Sequence, residues 1–169
     1  GITGGFLSGL LHPIFGWDHV VAMVAVGLWG GILEKPSIWL LPIVFPLVMA
    51  LGGAAGVLGI EVPYVETGIA LSGLVLGILV VFFVRLPVAV ATAIVAVFAI
   101  FHGHAHGTEL PEAANPIAYA VGFVFATGLL HLAGIAFGML AFRDWGRWLV
   151  RAGGATIALV GTAFLTGIA

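Results

Sequence analysis

The sequence predicts an all-α polytopic membrane bundle of about six transmembrane segments, and three observations carry that prediction. Of 169 residues, 62% are hydrophobic and only 7% are charged, against about 25% charged in ordinary soluble domains. The uncharged stretches are long, running over residues 1–17, 19–33, 36–60, 67–84, 86–108, 113–142 and 152–169. The charges between them sort by sign from one loop to the next. A spanning helix takes roughly 20 apolar residues, so six would use about 120. The remainder is too short for a water-soluble catalytic domain, and residues 1–169 read as a single integral membrane domain.

The first segment, 3–33, is interrupted only by Asp18. It is too long for one straight span and too short for two with a loop. It reads as one long helix, or a half-helix followed by a full one, broken near His12-Pro13, where proline removes a backbone hydrogen bond. A secretory signal is a poor reading, because the stretch lacks a basic start and holds His, Asp and His. The initial glycine and an outward N-terminus instead suit a leader removed upstream. The second segment, 37–60, carries Pro42 and Pro46, expected to kink it without chemistry. Segments three to six cover 67–84, 86–106, 115–142 and 149–168. Small residues four apart, Gly52 with Gly56, Gly73 with Gly77 and Gly134 with Gly138, let helix backbones approach closely.

Every basic residue falls in one set of loops: Lys35 after segment one, Arg85 after three, and Arg143, Arg147 and Arg151 after five. The other loops hold Glu61 and Glu66, then Glu109 and Glu112. The positive-inside rule therefore puts the basic loops in the cytoplasm and both termini outside. Five scattered basic residues give no footprint for nucleic acid. With no cysteine, disulfides, thiolate metal sites, iron–sulfur clusters and cysteine nucleophiles are excluded.

All six histidines lie in or at the ends of apolar segments. Ionisable groups at that depth usually face the bundle interior or a watery path, and neutral imidazole is the commonest metal ligand. The first cluster is HPIFGWDH, residues 12–19. On a continuous helix His12 and His19 share a face but stand about 10 Å apart, too far to hold one ion. If Pro13 and Gly16 unwind the chain, both imidazoles and Asp18 can converge, as in broken transporter helices. Asp18 can ligate directly, or act by orienting the ring beside it. The second cluster is FHGHAHGTE, residues 101–109. On a helix His102, His106 and Glu109 fall within about 40° of one line and His104 points away; an extended stretch would align the three histidines instead. His131, alone in TGLLHLAGIAFG, divides between ligand or relay and packing. Nitrogen and oxygen donors without sulfur suit nickel, cobalt, zinc, iron or copper(II). A magnesium or calcium cage would need more acids than the spans provide.

These residues resemble the HupE/UreJ family of small nickel and cobalt permeases. Its motif HPxxGxDH is matched by His12, Pro13, Gly16, Asp18 and His19; its motif FHGxAHGxE is matched by Phe101, His102, Gly103, Ala105, His106, Gly107 and Glu109. The runs 23–30 and 126–135 also look like family sequence. The resemblance implies Ni²⁺, with Co²⁺ as the alternative, as a transported substrate crossing the bacterial inner membrane without ATP; Zn²⁺ is a further candidate from the donor types. It also implies a functional link to hydrogenase or urease maturation. The metal set expected on these grounds is His12, Asp18, His19, His102, His106, Glu109 and His131, with His104 at the family's variable position.

The rival readings are a metal-binding sensor or accessory subunit that does not itself transport, and a haem protein with paired axial histidines. Haem ligation needs neither the Asp-His pair nor the density of HGHAH. No HExxH or GxSxG motif occurs, so no enzyme and no organic cofactor are expected. An oligomer remains open.

Overall fold

Glycine, rather than proline, decides where the first apolar stretch turns. In the computed structural model, which describes residues 1–109 and 115–168, helix α1 spans Ile2–Phe15 and contains Pro13, while α2 spans Trp17–Leu33. The break falls at Gly16, three residues beyond Pro13, in extended backbone (φ −89°, ψ 103°), and the two helices meet at 81°. The remaining helices are α3 (Ser37–Val57), α4 (Val65–Val81), α5 (Val88–Thr108), α6 (Pro116–Gly138) and α7 (Asp144–Thr166). A 3-10 turn, Met139–Phe142, joins the last two. The described residues contain no strand.

Four helices are long and apolar enough to cross a membrane, or five when the bent α1–α2 pair is counted as one span. Helix α4 is apolar but has 17 residues, the lower end of the spanning range. The final helix begins at Asp144 rather than at 149, so Arg147 and Arg151 lie within it and not in a loop. Their guanidinium groups sit over the Phe83 ring, 5.5 and 5.3 Å from its centroid, which lets the helix extend past the apolar stretch.

Glycine seams set the direction of each helix against its neighbour. Gly103 meets the Met49 carbonyl and Gly107 that of Gly53, so α3 and α5 run parallel. Gly9 packs at Tyr119 and Gly27 at His131, placing α1 and α2 along α6 in its own direction. Gly73 meets Gly161 and Gly77 meets Gly154, so α4 and α7 are antiparallel. That pattern matches six alternating crossings and gives α4 the direction of a span. The glycine pairs singled out in the sequence all lie on these seams.

Helix α3 shows how the bundle separates its faces. Trp39, Ile43, Leu47 and Leu51 are exposed, whereas Leu41, Phe45 and Met49 are buried, the reverse of a water-soluble amphipathic design because both faces are apolar. At one end Trp29 Nε1 donates to the Val84 carbonyl at 2.9 Å, and Arg85 pairs with Glu34 at 3.2 Å. The loops after α2 and α4 and the start of α7 therefore share one end of the molecule.

Candidate metal centre

The 81° turn at Gly16 converts a spacing of seven residues into proximity. The rings of His12 and His19 lie 6.5 Å apart, centroid to centroid, instead of the roughly 10 Å of a straight helix. A side chain at Gly16 would crowd the pair it serves: a Cβ there would lie 3.0 Å from Asp18 Oδ1 and 3.2 Å from His19 Nδ1. Asp18 stands in the first turn of α2, where a carboxylate is favoured by the helix dipole. Its Oδ1 accepts from the His19 backbone N–H and from His19 Nδ1–H, each at 2.9 Å. The carboxylate thus orients the ring and leaves His19 Nε2 buried without a partner.

Helix α5 supplies the second half. It remains helical through Thr108, so the extended alternative does not occur and His102, His106 and Glu109 share a stripe. The Ser72 hydroxyl on α4 donates to the Ile69 carbonyl at 2.6 Å. Its oxygen is then free to accept from His102 Nε2–H at 2.8 Å. The proton is fixed on Nε2, and Nδ1 keeps its lone pair, buried and unpartnered. Neither nitrogen of His106 has a partner.

The halves meet at His106, whose ring lies 4.3 Å from His19 and 4.8 Å from His12. His19 and His102 are 4.8 Å apart. Glu109 Oε2 reaches within 3.6 Å of His12 Nε2, and His12, His106 and Glu109 offer donor atoms within 4.8 Å of one another. Metal–nitrogen bonds near 2 Å require only a small closure of that triad. Exposure grades from the Glu109 side chain at 55% and His12 at 32% down to His102 at 0%. The outer ligands open into a depression of about 560 Å³ that Asp18, His19 and Tyr119 also line. Phe123 closes the other side of His106 at 4.2 Å.

Two expected histidines lie elsewhere. His104 faces away from the cluster and its ring Nε2 bonds the Ile60 carbonyl at 2.8 Å, tying α5 to the chain after α3. His131 is buried lower on α6 and touches none of the four clustered rings. Glu112 lies outside the described residues. Sequence reading missed Ser72, a lone hydroxyl in an apolar span and a signal of buried polar pairing, and also Tyr119 and Phe123, which nothing in the sequence distinguished from core.

The sequence model of the family described as HupE / UreJ protein matches residues 1–164. Protein HupE of Rhizobium leguminosarum bv. viciae is 47% identical over 163 residues, covering 96% of this chain and 85% of that protein. No solved structure matches the chain. A family match over nearly the whole length, together with a relative of such high identity, shows that this chain belongs to the HupE/UreJ family.

Proposed function

We propose that the protein is a permease that carries Ni²⁺, with Co²⁺ as the alternative cargo, across the bacterial inner membrane without ATP hydrolysis. The observation that carries this reading is the convergence of four imidazoles and a carboxylate, graded from an exposed mouth to a fully buried ring. Such donors suit borderline divalent cations. Glu109 concentrates the cation at the mouth, His12 and His106 replace its water, and His19 and His102 receive it deeper, with His106 common to both steps. Asp18 and Ser72 hold rings without ligating. The sole lysine, Lys35, sits in LEKPS, which is not a phosphate-binding loop, so nothing in the chain calls for nucleotide. By the positive-inside rule the end bearing Glu34, Arg85 and Arg147 faces the cytoplasm and the Glu109 mouth faces outward. Supply of metal for hydrogenase or urease maturation fits the family to which the chain belongs.

The test is Ni²⁺ and Co²⁺ flux into proteoliposomes containing only this protein, compared with His12→Ala, His19→Ala, His102→Ala and His106→Ala. Flux is expected in the unmodified protein and lost in the variants. Strong binding without flux would overturn the permease in favour of a sensor or accessory subunit. A Soret band in purified protein would redirect the histidines to haem.

A further inference from the structure

We propose that His131 forms a second, separate transfer site for the same divalent cation, on the far side of Phe45 from the histidine cluster. The proposal rests on the permease reading and extends it inward. His131 is 1% exposed, and its ring has no polar partner besides the Pro42 carbonyl. Its ring lies 5.5 Å from Phe45, and Phe45 lies 5.7 Å from His102. A single fully buried aromatic ring therefore stands between the deepest ligand of the cluster and a further buried imidazole.

Two helices place His131 at the same depth independently. On α2, eight residues separate His19 from Gly27, which packs against the His131 backbone. On α6, eight residues separate Phe123, the neighbour of His106, from His131. At the helical rise both intervals are about 12 Å, directed toward the end that holds Glu34 and Arg85.

An oxygen donor accompanies the imidazole. Thr127 is one turn earlier on α6, on the same face, fully buried with an unpartnered hydroxyl. The Pro42 carbonyl, whose usual helical donor is residue 46, a proline without an N–H, is instead turned to a ring N–H of His131. That contact orients the ring and leaves its second nitrogen with a buried lone pair. An imidazole and a hydroxyl make a sparse set, which binds weakly enough to release its ion. Packing against Pro42 accounts for one ring nitrogen but not for the other or for the Thr127 hydroxyl, and burying such atoms unpaired destabilises the fold.

The experiment combines Ni²⁺ stoichiometry by equilibrium dialysis of the purified full chain with proteoliposome flux. His131→Leu keeps roughly the volume and removes both ring nitrogens; Thr127→Val is the nearly isosteric second variant, which leaves the His131 ring in place. The unmodified protein is expected to take up a second, weaker Ni²⁺ that His131→Leu abolishes, with cluster affinity held within threefold and flux reduced at least tenfold. Thr127→Val is expected to weaken the second ion at least threefold. Equal flux and two bound ions in His131→Leu would overturn the site and leave the permease standing. Loss of the cluster ion as well would overturn the separateness of the two sites. Loss of only the second ion, in a protein whose unmodified form carries no flux, would uphold the site and overturn the permease.

Discussion

Removing the Ser72 hydroxyl isolates the one hydrogen bond that orients His102. Ser72 and His102 are both fully buried, on α4 and α5. The 2.6 Å bond that Ser72 donates to Ile69 commits its proton, so the 2.8 Å contact with His102 must be donated by the ring. In Ser72→Ala the Nε2–H has no acceptor, and the ring no longer has a fixed tautomer or angle. Loss of such an outer partner typically weakens metal binding by about 10–100-fold, which is about 1.4–2.8 kcal/mol at about 1.4 kcal/mol per decade. Stranding a buried donor also costs the metal-free fold about 1–3 kcal/mol. The two effects separate experimentally. Chelator competition with Ni²⁺ in detergent reads the affinity, and thermal unfolding without metal reads the stability. The expected result is a Kd raised 10–100-fold together with a lower Tm. A Kd within twofold of the unmodified protein, with Tm lowered, would refute the reasoning and leave Ser72 a purely structural contact.

Three further outcomes are expected. Gly103→Ala places a methyl group against the Met49 carbonyl, where backbone cannot yield as a side chain would, so Tm should fall by the equivalent of at least about 1–3 kcal/mol; an unchanged Tm in detergent would show that α3 and α5 are not in backbone contact. Protons compete with the metal for imidazole lone pairs, whose ordinary pKa is about 6.5. Flux should therefore be near full at pH 7.5 and fall as pH drops through about 6.5 to 5, measured at equal pH on both sides of the vesicle, and unchanged flux at pH 5 would refute proton competition for the ligands. His104→Ala removes the bond to the Ile60 carbonyl, so stability should fall by about 1 kcal/mol while Ni²⁺ affinity stays within twofold. A tenfold weaker Kd there would bring His104 into the metal site.

How far the site was legible depends on the distance over which its parts interact. The stripe of His102, His106 and Glu109 follows from helical periodicity alone, and so does the exclusion of His104 to the other face. The junction of His12 with His19 was legible as a condition, requiring a break between them, but the residue at which the chain breaks was not. Pro13 removes one hydrogen bond, yet α1 continues through it; the extended backbone falls at Gly16, where the absence of a Cβ also leaves room for Asp18 and His19. Boundaries drifted where side chains outside the apolar pattern extended a helix, as Arg147 and Arg151 do by stacking on Phe83.

By itself the sequence determined an apolar helical bundle, the bend in its first segment, the sign of each loop and the two motifs that carry the ligands. These depend on composition and on spacing within one segment. Only the tertiary structure decided that the two motifs meet at His106, that Ser72 holds His102 and that Phe45 stands between the cluster and His131. Those facts depend on which helices adjoin and in which direction. In an apolar medium nearly every helix face is equally greasy, so hydrophobic pattern carries little pairing information. The pairing is set instead by backbone contact at glycines such as Gly103 and Gly27, whose partners lie tens of residues away along the chain.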